Sequence, residues 1–266
     1  MDLQLTGKKV LVTASTGGIG KQIARQFCEE GAIVIINGRT RESAEKVFAE
    51  LKGENKNVFL ALGDVSTDEG INNIISAISS LGGIDILVNN AGVYINHDWF
   101  TATANDWLRL YAANVVAPVK LVKACVPAMK ENKWGRIIQI SSGEGTQPFA
   151  FMPDYAATKA AMNNFSVSLS KAVSKTGITV NTVSPGIIAT DTLKQFYTDF
   201  GKDKKWGNDW KNIEKKILKT VLDNNTGRLG TPQDVAALVC FVASPLAGYI
   251  NGANLRIDGG STGLVN

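Results

Sequence analysis

Short apolar, β-branched runs recur along the chain, each separated from the next by a stretch with helical spacing. The runs are Val10-Leu11-Val12, Ile33 to Ile36, Val58 to Leu62, Ile84 to Val88, Ile137 to Ile140 and Thr179 to Val183. A last one, Asn254 to Ile257, precedes Asp258-Gly259-Gly260. Between the first two, Ile19, Ile23 and Phe27 recur every four residues along one helix face, and Gly31 stops the pattern. Strand–helix alternation of this kind predicts an α/β fold, with a doubly wound parallel sheet covered by helices on both faces. No Pro/Ser-rich linker, repeat or low-complexity block interrupts it, so residues 1–266 read as a single domain.

The loop after the first run reads TASTGGIGKQ, residues 13–22. It is not a P-loop, because Gly20-Lys21 is followed by Gln22 and the early glycine position holds Ser15. It is not G-x-G-x-x-G either, because Ile23 stands where the third glycine belongs. Yet in such a sheet ligands sit beyond the carboxyl ends of the strands. Gly18 and Gly20 would let backbone N–H groups approach a pyrophosphate at a helix N-terminus. A tight turn without any ligand explains the same residues.

Composition narrows the classes. An apolar content of 44% with 20% charged residues suits a water-soluble globular chain. The net charge of +4 is spread out, and no basic tract interleaved with aromatics points to nucleic acid. The start lacks the basic-then-apolar order of a signal peptide, and Val235 to Ile250 is too short to span a bilayer. A cytoplasmic location without membrane attachment is expected. Cys28, Cys125 and Cys240 lie far apart in apolar patterns and read as buried thiols. His97, in Asn96-His97-Asp98, has no partner at metal spacing and reads as a solvated loop residue, so no metal is expected.

Other polar residues fit a purely structural reading poorly. Asn89-Asn90-Ala91-Gly92 follows the fourth run, and Asn114 interrupts the apolar helical pattern Leu108 to Val122. Ser141-Ser142-Gly143 ends the fifth run, and Tyr155 and Lys159 follow at i and i+4, on one helix face. Taken together with the glycine loop, these residues resemble the short-chain dehydrogenase/reductase family over nearly the whole chain. The family loop T-G-x-x-x-G-x-G appears here as Thr13-Ala14-Ser15-Thr16-Gly17-Gly18-Ile19-Gly20. Ala14 replaces the first glycine, which is tolerable if that residue needs no positive φ.

The resemblance implies a Rossmann-type sheet and a ketone–alcohol oxidoreductase using NAD(P)(H). It assigns Asn114, Ser142, Tyr155 and Lys159 to catalysis. Tyr155 would be the acid/base, with Lys159 favouring the phenolate and holding a ribose. Ser142 would orient the carbonyl, and Asn114 would bend its helix and hold a water. For the cofactor it points to Thr13, Ser15, Thr16, Gly18, Ile19 and Gly20, to Asp64 and Val65, and to Asn90, Ala91 and Gly92. Pro185, Gly186, Ile188 and Thr190 would flank the nicotinamide, alongside Tyr155 and Lys159. In the family, the acid of NAD enzymes falls at Gly38, which has no carboxylate, and Arg39 follows with Thr40. NADP(H) is therefore favoured over NAD(H), with Arg39 on the 2′-phosphate.

The substrate is the least legible feature. Residues 190–220 would form a lid, its Phe196, Tyr197, Phe200, Trp206 and Trp210 walling an apolar pocket with Phe149, Phe151 and Met152. Those rings could equally pack the lid on its own body. Glu144, two residues past Ser142, would repel an acidic group near the reacting carbon. The expectation is a small neutral ketone or a polyol-like compound. A 3-oxoacyl group on an acidic carrier protein is the rival, docked by Lys202, Lys204 and Lys205. A non-catalytic dinucleotide sensor or scaffold is the rival of another class, which the four catalytic matches disfavour. The segment Ile250 to Gly260 resembles the family's subunit-contact region, so a homotetramer or homodimer is expected.

Overall fold

In the computed structural model, which describes residues 1–263, all seven runs form strands. They are β1 (Lys9–Val12), β2 (Ile33–Gly38), β3 (Val58–Leu62), β4 (Ile86–Asn89), β5 (Gly135–Ile140), β6 (Ile178–Pro185) and β7 (Asn254–Ile257). They pair in parallel in the order β3-β2-β1-β4-β5-β6-β7. Chain order reverses between β1 and β4, which opens a crevice at their carboxyl ends.

Alternate side chains enter opposite cores, as the period of a strand requires. Val10, Val12, Val34, Ile36, Ile86 and Val88 meet α1 (Gly18–Glu29), α2 (Arg41–Glu54) and α9 (Pro232–Ala243) on one face. Leu11, Ile35, Leu87, Ile137 and Val180 meet α3 (Asp68–Ser80) and α5 (Ala117–Glu131) on the other. Burial on both faces is why these runs carry no polar alternation. The three cysteines are buried within this packing and form no disulfide.

The helical pattern around Asn114 is less regular than expected. It divides into α4 (Ala104–Tyr111), a π-helical turn at Ala112–Val116, and α5. By length and composition the continuous stretch Ala104–Glu131 would pass for a membrane span. Here Leu110, Leu121, Cys125 and Met129 are buried core residues. After α6 (Pro153–Ala172), residues 191–220 are mostly helical, forming α7 (Asp191–Asp203) and α8 (Trp210–Thr220). These two share a small core of Ile213, Ile217, Leu218 and Leu229 with Leu193, Tyr197, Trp206 and Trp210.

Candidate active site

The loop between β1 and α1 is stitched to its neighbours by buried polar side chains. Thr13 Oγ1 accepts from the N–H groups of Asn90 and Ala91, both at 2.9 Å. Asn90 Nδ2 donates back to the Thr13 carbonyl at 2.9 Å. Ser15 Oγ accepts from Asn37 N–H at 2.8 Å, so that hydroxyl is committed to the protein. Asn37 Oδ1 accepts from Ala14 N–H at 3.0 Å, and its Nδ2 donates to the carbonyls of Ala61 and Gly63. Asn37 was missed by sequence reasoning. Its signal was a lone amide ending the apolar run Ile33 to Ile36.

This stitching presents the start of α1 to the crevice. The helix has no side-chain cap and no acid in its first turn, so its leading N–H groups suit an anion. Gly20 cannot carry a side chain, because a Cβ would lie 2.5 Å from the Ala14 carbonyl oxygen. Thr16 is half-buried beside Gly38, and Ile19 packs against the first core. Ala14 departs from expectation: its φ is +50°, the left-handed region that the sequence reading required it to avoid. Three bonds around it, from Asn37 and Asn90, hold that conformation.

At the next strand ends, Arg39 is exposed and Thr40 caps α2. Burial works against the Asp64 carboxylate, but hydrogen bonds from Ser66 and the charge of Arg39 hold it below its usual range. Val65 is half-buried beside it. Gly38 has no space to spare, since a Cβ would lie 2.6 Å from Thr16 Cγ2 and 2.9 Å from Ala44 Cβ. An acid at that position would have to displace the glycine loop. These residues and the bare helix end fit a dinucleotide.

The four catalytic candidates converge at the ends of β4 and β5. Asn114 sits in the π-helical turn with both amide atoms engaged: Oδ1 accepts from Val93 N–H at 2.7 Å, and Nδ2 donates to the Val93 carbonyl at 2.8 Å. Nδ2 also donates to Thr158 Oγ1 at 3.0 Å, tying the turn to α6. Lys159 is buried, and its Nζ donates to the Ile140 carbonyl at 2.8 Å. A Cβ on Gly92 would come within 3.2 Å of that Nζ, so a side chain there would crowd the ammonium's seat. Burial brings the Lys159 ammonium down to about 8.

Tyr155 lies one helical turn earlier, its ring centroid 5.5 Å from Lys159 Nζ. Burial pushes its phenol up to about 12, opposed by a hydrogen bond from Ser142 and reinforced by Glu144 and Tyr94. The Lys159 ammonium is turned to the Ile140 carbonyl and is not among the groups that shift the phenol in this geometry.

Facing this cluster are Pro185, Gly186 and the residues that follow β6. Gly186 N–H donates to the Ile257 carbonyl at 3.1 Å, fixing the strand end to β7. Ile188 turns its side chain into the core against Gly230, so only its backbone can face a ligand. Thr190 caps α7 and stands over Gly18, where a Cβ would touch its Cγ2 at 3.4 Å. The cleft between these walls is lined by Ser142, Glu144, Gln147, Phe149, Gly186 and Thr262, among others. Glu144 Oε2 is shut from solvent without a hydrogen-bond partner, and burial lifts the carboxyl to about 7. Leaving such a group unpaired costs about 1–3 kcal/mol.

One expectation about side chains is corrected, and an alternative left open is decided. His97 is not solvated: its side chain is 9% exposed, and Nε2 lies 2.7 Å from Oδ2 of fully buried Asp154. Asp154 Oδ1 in turn accepts from Tyr155 N–H at 2.8 Å. A buried carboxyl in the first turn of α6 needs a partner, and the chain supplies one from 57 residues away, a pairing that local sequence does not display. The lid aromatics follow the plainer of their two readings. Tyr197, Trp206 and Trp210 pack on the lid's own core, while Phe196 and Phe200 stack near them with substantial exposure.

Residues 8–200 match the short chain dehydrogenase family. The chain belongs to that family. It is 36% identical over 266 residues to an uncharacterized oxidoreductase of Bacillus subtilis, covering 98% of each chain. It is 37% identical over 257 residues to a 3-oxoacyl-[acyl-carrier-protein] reductase of Haemophilus influenzae, covering 96% of this chain and 98% of that one. Its fold matches L-sorbose reductase from Gluconobacter frateurii, solved with NADPH and L-sorbose, at a TM-score of 0.94 and 32% identity over the whole of both chains. As a short-chain dehydrogenase the chain is an oxidoreductase, with a crevice suited to a dinucleotide and a small-molecule substrate.

Proposed function

We propose that this short-chain dehydrogenase interconverts a small neutral hydroxyketone and its alcohol with NADP(H), using Tyr155 as the acid. The observation that carries the reading is the Tyr155 hydroxyl within hydrogen-bond reach of Ser142, which itself lines a cleft with Glu144. When bound, the nicotinamide supplies hydride chemistry. As charge grows on the substrate's carbonyl oxygen, Tyr155 gives its proton and Ser142 orients that oxygen. Lys159, held by the Ile140 carbonyl, would offer its ammonium to a ribose of the bound cofactor. Asn114 keeps the β4 loop and α6 in register through Val93 and Thr158.

NADP(H) is favoured because Gly38 has neither a carboxylate nor room for one, while Arg39 is exposed to fork onto a 2′-phosphate. The G. frateurii structure, with its NADPH and L-sorbose, supports both the cofactor and the hydroxyketone. The H. influenzae relative favours a second reading, a 3-oxoacyl thioester on a carrier protein. Exposed Lys204 and Lys205 suit that docking, but Lys202 is taken by Asp199 at 2.7 Å. We read the chain as one catalytic domain in which residues 190–220 cover the substrate. Exposed Leu108, Val116, Val119 and Val167 suit burial in a homodimer or homotetramer, and three buried cysteines without a disulfide suit a reducing, cytoplasmic setting.

The test is a panel of L-sorbose, other hydroxyketones, simple ketones and 3-oxoacyl-carrier substrates, each with NADPH and NADH. We expect NADPH-dependent turnover of hydroxyketones. Tyr155→Phe should cut that turnover by roughly 100- to 10,000-fold while NADPH still binds. Turnover confined to carrier-bound substrates, or tighter binding of NADH, would overturn the assignment.

A further inference from the structure

Within the proposed cleft, one group has no structural reason to be ionisable. Glu144 follows Ser142 in a single turn of 3-10 helix, Gly143–Gly145, and its own N–H donates to Ser142 Oγ at 3.2 Å. The turn is rigidly held. Gly145 N–H donates to the Ser142 carbonyl at 3.0 Å, Gln147 N–H to the Gly143 carbonyl at 2.9 Å, and Asn163 Nδ2 to the Gly145 carbonyl at 3.3 Å. The carboxyl is thus carried on the same fixed backbone as the hydroxyl that faces the Tyr155 phenol. Among the described residues lining the cleft, Glu144 is the acidic one; its neighbours there are Gln147, Phe149, Thr262 and the backbone around Gly186.

Its Oε2 is buried, yet no protein donor reaches it. Nor does the carboxyl stand apart from the chemistry, since its charge is felt at the Tyr155 phenol. Buried polar atoms in native structures are almost always paired, and one left open in a binding cleft is paired by what binds there. For the ionised carboxyl the partner must be a hydrogen-bond donor. A substrate carboxylate would meet like charge, and a thioester or plain ketone offers only acceptors.

We infer that Glu144 is a specificity-determining residue whose carboxyl hydrogen-bonds a hydroxyl close to the reacting carbonyl of a polyhydroxy ketone. The inference rests on the hydroxyketone reading of the same cleft and adds the residue that enforces it. A site built around a donor on its substrate rejects an analogue that lacks it, because the site's own polar atom stays unpaired. The lift of the carboxyl to about 7 fits this role, because in either protonation state an oxygen remains to accept.

The experiment compares kcat/KM for L-sorbose and for cyclohexanone, at saturating NADPH, in the wild type, Glu144→Ala and Glu144→Gln. Fluorescence titration of NADPH in each protein reports whether the fold and cofactor site survive. The L-sorbose to cyclohexanone ratio should fall roughly 10- to 100-fold in Glu144→Ala, chiefly through KM. Glu144→Gln, which keeps an acceptor oxygen, should lose less. If the wild type reduces L-sorbose and the ratio is the same in both variants, the role of Glu144 is refuted while the hydroxyketone reading stands. If the wild type reduces no polyhydroxy ketone, that reading fails first and takes this inference with it.

Discussion

On the β1–β4 side of the cleft, the side chains of Thr13, Ser15, Asn37 and Asn90 all find partners within the protein. Across from them, Glu144 keeps an orphan oxygen, and Phe196 and Phe200 leave much of their rings in water. The first side rests on the two large cores of the sheet, the second partly on the small core of α7 and α8. A ligand part that never varies can be met by a largely preformed surface, in which the loop side chains are paired and only the Asn89 amide at the end of β4 is left without a partner. A variable part is met by side chains whose pairing is completed only on binding. This difference explains why the dinucleotide side was so readable and the substrate side was not.

The sharpest way to break the contrast is to remove a fastener from the first side. Asn37→Ala would strip partners from the Ala14 N–H and from the Ala61 and Gly63 carbonyls at once. We expect a loss of about 3 kcal/mol, since each buried group left unpaired costs about 1–3 kcal/mol and the losses overlap. NADPH binding should weaken with it. Phe196→Ala, on a residue 54% exposed, should cost under about 1 kcal/mol. Urea midpoints with unchanged slopes would measure both. Equal losses would mean that the two sides are built alike.

The sequence exposed whatever depends on short spacing. The central strands announced themselves because burial on both faces leaves apolar, β-branched runs, and the Tyr155–Lys159 pair because a helix repeats at i+4. Contacts made across the sheet left no such trace. Asp154 is partnered by His97, and Asn37 holds the ends of three strands, but neither pairing has a local pattern. The lid helices were hidden for another reason. Their aromatics fit a pocket wall and a private core equally well, and only packing decides.

Lys159 stands where the two sides meet, and its burial makes a pH prediction with a definite sign. Its ordinary value is 10.5, and in the fold it falls to about 8. Below about 8 both folded and unfolded chains hold the proton, and the burial penalty is present in full without any slope. Between about 8 and 10.5 the unfolded chain holds more protons than the folded one, so this group makes stability rise with pH. Relative to Lys159→Met, the wild type should therefore gain at most about 3 kcal/mol across that window. Chemical melts of the two apo proteins at three pH values would show it. Parallel stability curves would mean that the ammonium is better solvated than its seat by Ile140 implies.

The smallest effect concerns Ala14, the one strained point on the otherwise relaxed side. A non-glycine residue in the left-handed region costs roughly 1–2 kcal/mol, and Ala14 takes φ +50° with its side chain exposed. Ala14→Gly would remove that strain without deleting a buried contact. It would also loosen the unfolded chain, which offsets roughly 0.5–1 kcal/mol of the gain. The net should be a stabilisation below about 1 kcal/mol, or a rise of roughly 2–4 °C at most in Tm. NADPH affinity should stay the same, because the conformation is imposed by Asn37 and Asn90 rather than by the residue itself. A variant less stable than the wild type would show that the alanine is not strained in solution. A variant with changed NADPH affinity would show that the loop is less rigidly fastened than its hydrogen bonds suggest, and the contrast between the two sides would narrow.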